Sequence, residues 1–498
     1  MPHPGQFLDE KVTEMNANAL LNNNRPLIGE RRLQGTSLGE MPHINPASGA
    51  VQAQVLVCGA AEVDQAVEAA LIGQRAWKAL GPQARRDALL RLADLVEAEA
   101  EPLRTMAALE CGTPISVGGS APLALSWIRY YAGWADKIEG TVSEPFGLPG
   151  IAYSLHEPIG IVGVIIPWNS PLVAISMTAV LALAAGNAVI LKPPTLTPFV
   201  ALRIGELALE AGIPAGALSV IPGDAEAGEA LVRHPRVGKI SFTGGESVAR
   251  LVMQQAAQHL KPLALELGGK SANIIFDDAD LDAAAQMASV CGLMVLSGQG
   301  CVLPTRIYAQ DAIFDAFVER VHAITVGFSM GDPLDATTTI GPVINQAAAD
   351  RIVGVIDRAK SEAGGRLVTG GARAGGALAG GFYVEPTIFA DIDHDSHLAR
   401  EEVFGPVLSV LRFKDEGDVV AKANDSRFGL GAYVHTHDLK RAHRMAAALE
   451  AGAVSINGML PMSANLPFGG YKQSGFGREG GRSGLEEFMQ IKQVMIHL

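Results

Sequence analysis

Apolar residues recur along this chain with two periods, and the switch between them marks out its organisation. Between residues 62 and 110 they keep helical spacing: Val63, Ala66, Val67 and Ala70, then Leu89, Leu90, Leu92 and Leu95. A stripe at every third or fourth position buries one face of a helix, so this stretch predicts helices. From residue 158 short unbroken apolar runs alternate with longer periodic ones. Residues 161–166, 188–191, 218–221 and 239–242 read as strands, and residues 172–185 and 199–211 as helices. Residues 271–460 repeat that style, with strands predicted at 272–276 and 452–457. Strands that are apolar throughout need cover on both faces, which a sheet between helix layers supplies. The expected fold is therefore α/β, with a doubly wound parallel sheet of Rossmann type.

Four stretches depart from this rhythm. Residues 158–191 carry no charge and are long enough for a membrane span. Pro167, Asn169, Pro171, Gly186 and Asn187 cut them into shorter pieces, so buried strand, tight loop, buried helix and buried strand are expected instead. Residues 151–155 and 494–498 alternate at strand period, and their edges need a partner chain to cover them. Residues 370–381, rich in glycine and alanine, read as a flexible surface loop.

Composition narrows the class. A chain of 498 residues suggests two or three domains, and 48% hydrophobic against 18% charged residues excludes disorder. A net charge of −13 argues against nucleic acid or an anionic membrane as partner. Cys58, Cys111, Cys291 and Cys301 lie far apart, without the paired spacing of a disulfide framework or zinc site. The first twenty residues lack the basic start and apolar core of a signal peptide. A reducing, cytoplasmic setting is expected.

Open α/β sheets bind ligands beyond the carboxyl ends of their strands. Asn169, Lys192, Gly223 and Gly244 each follow a predicted strand, which favours a dinucleotide site there although no GxGxxG fingerprint follows these strands. Cys301, in Leu296-Ser297-Gly298-Gln299-Gly300-Cys301-Val302, is a thiol on a small, flexible backbone that a substrate carbonyl can approach. Glu266 follows an apolar lead-in and precedes Leu267-Gly268-Gly269, and burial there would raise its pKa toward the working range of a base. Asn169, in Pro167-Trp168-Asn169-Ser170-Pro171, offers a side-chain amide. Nucleophile, base and oxyanion donor are what acyl chemistry through a thioester requires. The other three cysteines read as structural.

These segments resemble the NAD(P)-dependent aldehyde dehydrogenase superfamily. So do Asn45-Pro46-Ala47-Ser48-Gly49, Leu191-Lys192-Pro193, Phe242-Thr243-Gly244, Glu401-Glu402-Val403-Phe404-Gly405-Pro406 and the run from Pro467 to Gly475. The resemblance implies Cys301 as nucleophile, Glu266 as general base and Asn169 as oxyanion donor. It implies NAD or NADP held by Ile165, Pro167, Trp168, Lys192, Thr195, Gly223, Phe242, Gly244, Gly245, Leu267, Glu402 and Phe404. Lys192 would hold the adenine-side ribose and Glu402 the nicotinamide ribose. Ser170, Ala174, Met177, Val302, the loop Met459-Leu460-Pro461-Met462 and Phe468 would line the aldehyde site. It further implies a cofactor domain from residues 1–136 and 156–267, a catalytic domain from 268–470, and a small β oligomerisation domain from 137–155 and 483–498, in a homodimer or homotetramer.

Retention of Glu266 favours hydrolysis to a free acid; acyl transfer to coenzyme A and a non-catalytic binding role are the alternatives. Three details refine the expectation. Thr195 stands where many NAD-preferring members carry glutamate, so no carboxylate there opposes a 2′-phosphate, and NADP use is expected with NAD accepted. Thr178 replaces the usual lysine. The substrate residues include no arginine or lysine, which points to a medium-sized apolar aldehyde. His394, Asp395 and His397 lie in a polar run and read as a solvated loop, with no metal needed.

Overall fold

Five parallel strands make the centre of an eight-stranded sheet, in the order Leu218–Val220, Ala188–Lys192, Ile161–Ile165, Lys239–Thr243 and Leu263–Glu266. The order reverses at Ile161–Ile165, since the chain winds to one side and then to the other. That reversal opens a crevice beyond the carboxyl ends of Ile161–Ile165 and Lys239–Thr243. Short antiparallel strands finish the sheet, among them Leu27–Ile28 at one side and Gly475–Phe476 at the other. The computed structural model describes residues 20–22, 25–117, 120–362 and 365–497. Residues 1–19, which carry the reading of no signal peptide, and Leu498 lie outside the described residues.

Unbroken apolar strands fill two cores by alternation. Val162, Val164, Val189 and Leu191 enter one, and Ile161, Ile165, Ile190 and Phe242 the other. The helix Ala60–Ala79 lays Val63, Ala66, Val67 and Ala70 on the second, and Gly81–Ala98 lays Leu89 and Leu92 on the first. A second sheet of seven strands draws on residues 272–456. Ala272–Ile275 and Ala453–Ile456 lie in it as expected, and all its pairings are parallel except that of Arg366–Thr369 with Thr387–Ala390.

Three expectations need correction. The helix expected over 172–185 is two pieces, Pro171–Met177 and Ala179–Ala184, broken at Thr178. The Thr178 hydroxyl donates to the Ala174 carbonyl at 2.6 Å, a back-bond that bends helices. The loop 370–381 is pinned. Ala374 N–H donates to the Tyr383 carbonyl at 3.1 Å and Phe382 N–H to the Pro46 carbonyl at 2.9 Å. A side chain on Gly381 would lie 2.2 Å from the Ala47 carbonyl oxygen, so glycine here serves close approach. Finally, the strands expected at residues 151–155 and 494–498 extend further. Gly150–Pro158 runs past residue 155, Met489–His497 begins only after a helix at Gly481–Glu486, and the two strands pair along their whole length.

Candidate active site

Cys301 is delivered by a strained approach. After the helix Leu281–Ser289 and a wide turn at Val290–Met294, Leu296, Ser297 and Gly298 all take left-handed backbone, with φ of 52°, 51° and 73°. Non-glycine residues there cost about 1–3 kcal/mol each, so the surroundings must impose the turn. Ser297 donates its hydroxyl to the Gly341 carbonyl at 3.0 Å and accepts from Gly341 N–H at 3.1 Å. Gln299 Oε1 accepts from Ile344 N–H at 2.9 Å. The backbone then presses on the glycine pair that follows Glu266. A side chain on Gly269 would lie 2.5 Å from the Cys301 carbonyl oxygen, and one on Gly268 2.3 Å from the Glu402 carboxylate. Those glycines are therefore required by contact.

Cys301, Glu266 and Asn169 line one cavity of about 310 Å³. Burial pushes the Cys301 thiol up to about 12, aided by the negative charges of Glu402 and Glu266. Glu266 is 5% exposed, and burial together with Glu479 raises its pKa well above the ordinary carboxylate range. Its Oε2 bonds to nothing among the described residues. The Asn169 amide spends one hydrogen on the Gln299 carbonyl at 2.8 Å, which orients the side chain and leaves the second available.

Glu479 is the carboxyl that sequence reasoning missed. It lines the same cavity, and burial alone raises it to about 8. Its backbone and that of Phe468 exchange hydrogen bonds of 2.6 and 2.8 Å, which brings the end of the chain to the site. Only its setting in Gly477-Arg478-Glu479-Gly480, an acid among glycines like Glu266, could have signalled it.

The expected cofactor residues gather along the carboxyl edge of the first sheet. Ile165 ends one central strand, with Pro167 and Trp168 just beyond it; Lys192 ends another; and Phe242, Gly244 and Gly245 close a third. The Phe242 ring lies under Gly244, where a side chain would meet it at 2.7 Å, while Gly245 faces open space and starts the helix Glu246–Ala256. Lys192 donates its amine to the Gly223 carbonyl, and burial lowers its pKa to about 8. Leu267 is buried beside them. Glu402 accepts from Gly269 N–H at 3.0 Å, and burial raises it to about 7. Phe404, itself left-handed at φ 49°, meets Trp168 edge to face at 5.3 Å. Open backbone at a helix start and polar groups at both ends of the crevice suit a dinucleotide.

A model of the aldehyde dehydrogenase family matches residues 33–494. The chain belongs to that family. It is similar to the aldehyde dehydrogenase KauB from Pseudomonas aeruginosa, at 36% identity and a TM-score of 0.94, covering 97% of this chain and 99% of that one. It is also similar to an aldehyde dehydrogenase from Bacillus cereus solved as an NAD+ complex, at 36% identity and a TM-score of 0.92 over 95% and 96% of the two chains. An NADP-dependent enzyme of E. coli matches at 37% identity and a TM-score of 0.92 over 96% and 99%.

For an aldehyde dehydrogenase the cavity has a plain apolar wall. Ser170, Ala174, Met177, Val302, Met459, Met462 and Phe468 all line it, whereas Leu460 and Pro461 do not. Three readings change. Arg104 also lines the cavity, so a basic group is present, though it is paired with Glu101 and donates to the Ile115 carbonyl at 3.3 Å. Cys111 lines the cavity as well and donates to the Trp168 carbonyl at 3.2 Å, so it belongs to the site wall. Position 195 itself carries no carboxylate, but one lies against it, because the Thr195 hydroxyl donates to Asp224 at 2.9 Å. Away from the site, His394 and Asp395 come together with Asp425, and Arg400 bridges both carboxylates as an ion-pair network.

Proposed function

We propose that this aldehyde dehydrogenase oxidises an apolar aldehyde to its carboxylic acid through Cys301, with NAD or NADP as acceptor. The observation that carries the reading is the convergence of Cys301, Glu266 and Asn169, from three distant segments, on one largely apolar cavity. Lys192 and Glu402 would hold the two ribose ends of the cofactor, whose nicotinamide, when bound, takes up the hydride. Cys301 is protonated at rest, so its proton must leave before sulfur attacks the carbonyl carbon. Glu266 accepts it once ionised. The oxyanion then faces the second Asn169 hydrogen and the Cys301 N–H; losing one such donor typically costs about 3–4 kcal/mol. Once the attacked carbon has given up its hydride it is a thioester. Glu266, after releasing the thiol proton to solvent, deprotonates a water whose hydroxide adds to the thioester carbon, and the sulfur leaves and takes back a proton as the thiol. Met177, Met459, Met462 and Phe468 support an adaptable apolar substrate. All four cysteines are free, in keeping with a reducing cytoplasmic setting. The apolar outer strands favour a homodimer or homotetramer.

The test separates the two halves of the reaction. Cys301→Ala should lose activity by on the order of 10⁴-fold or more while still binding cofactor. Glu266→Gln, with only solvent to take the thiol proton, should form the thioester slowly but once, giving reduced cofactor near one per site, and then stall because no base activates the hydrolytic water. Turnover of Cys301→Ala within tenfold of wild type, or full steady-state activity of Glu266→Gln at pH 7, would overturn the mechanism.

A further inference from the structure

Two neighbouring strands, Ala188–Lys192 and Leu218–Val220, end beside an acid that the motifs do not point to. Asp224 immediately precedes the helix Ala225–Arg233, where an aspartate ordinarily turns its carboxylate back onto the helix N–H groups. Here it makes no capping bond. Both carboxylate oxygens instead accept from the Thr195 hydroxyl at 2.9 Å, and Oδ1 also from Thr195 N–H at 3.4 Å. We infer that Asp224 sets the cofactor preference of this enzyme and makes it favour NAD over NADP. The inference rests on the proposed placement of the adenine-side ribose at Lys192 and Thr195.

The chemistry of the two ligands decides the sign. Thr195 has a single hydroxyl hydrogen and commits it to Asp224, so it has none to give a phosphate. The Lys192 amine lies near enough to feel the Asp224 charge, so a ribose at Lys192 would meet both an amine and a carboxylate. A ribose diol suits that pair, since its hydroxyls can donate to the carboxylate and accept from the amine. A 2′-phosphate instead brings roughly two negative charges against the carboxylate. Lys192 offsets only part of this, because the Gly223 carbonyl already holds its amine. The expectation of NADP use from Thr195 alone is thereby reversed: the repelling acid comes from the next strand end.

Calorimetric titration of the cofactor-free, full-length enzyme with NAD+ and with NADP+ reads this without turnover. Wild type should bind NAD+ at least about tenfold more tightly than NADP+, and Asp224→Asn should tighten NADP+ by a similar factor while changing NAD+ far less. Asp224 is exposed, so added salt should narrow the wild-type preference and leave that of Asp224→Asn nearly unchanged. If both dinucleotides bind wild type equally, or Asp224→Asn leaves their ratio unmoved, this inference falls and the proposed function stands. If neither dinucleotide binds wild type, the proposed function falls and takes the inference with it.

Discussion

Glu266 and Glu479, distant in sequence, line one cavity, and both carry raised pKa values. Burial is the larger cause for Glu266 and the Glu479 charge the next. Arg478 opposes them, while Thr178 adds no cation and keeps its hydroxyl on Ala174. Since a base must be ionised, activity should rise with pH as this pair loses its protons. Glu479→Gln removes one like charge, so Glu266 should ionise more easily and the ascending limb of kcat/KM should move to lower pH. A limb that stays in place or moves to higher pH would show that Glu479 does not tune the base. At this scale Cys301, Glu266 and Asn169, the proposed nucleophile, base and oxyanion donor, were legible as residues of one cavity, because each sits in a local segment whose composition serves that chemistry. Glu479, Arg104 and Asp224 were not. Their relevance comes from which side chains they meet, and local composition does not record that for an acid beside a loop or an arginine on a helix.

Elements were legible where one face decides them. The buried strands and the helices of residues 60–111 follow from apolar spacing alone. The break at Thr178 and the left-handed turn at Leu296 and Ser297 do not, since side-chain back-bonds and Gly341 impose them. The helix Phe199–Glu210 shows the same dependence at its start. Pro198 offers it no side-chain cap; Glu110, from the end of the helix Ala100–Cys111, accepts from Phe199 N–H at 2.7 Å and Val200 N–H at 3.4 Å. A carboxylate suits a helix N-terminus, yet complete burial wins and raises Glu110 from 4.5 to about 8. An acid held above its unfolded pKa binds its proton more tightly when folded. Its contribution is therefore fully present below about pH 4.5 and is lost as pH rises toward 8. Glu110→Gln keeps an acceptor and cannot ionise, so its stability should gain on wild type between pH 5 and 8. Glu110→Ala leaves two N–H groups unpaired and should cost about 1–3 kcal/mol. Denaturant midpoints of the three proteins at both pH values check this, and a pH-independent gap between Glu110→Gln and wild type would refute it.

The whole molecule carries one face that its own cores do not use. Gly150–Pro158 pairs with Met489–His497 from Gly150 opposite His497 to Met489 opposite Pro158, and Val142–Ser143 adds a short third strand. Register puts Ile151 beside Ile496, Tyr153 beside Val494 and Val142 beside Tyr153, so these side chains share one side of the sheet with Leu155. Val142, Ile151, Leu155 and Ile496 are 77%, 46%, 41% and 49% exposed. A scattered exposed isoleucine needs no explanation, but apolar residues contiguous over three strands do. The alternation in sequence already required cover for these segments. Among the described residues the three strands cover one another's edges and leave this face exposed, while the number of subunits is written in none of them. A second copy of the same chain is the proposed cover, because a self-complementary apolar face closes by symmetry. Ile151→Lys paired with Ile496→Lys puts two like charges side by side on that face and leaves both cores untouched. Light scattering should then report a smaller assembly than wild type, with near-ultraviolet circular dichroism unchanged. An unaltered mass would place the subunit interface elsewhere.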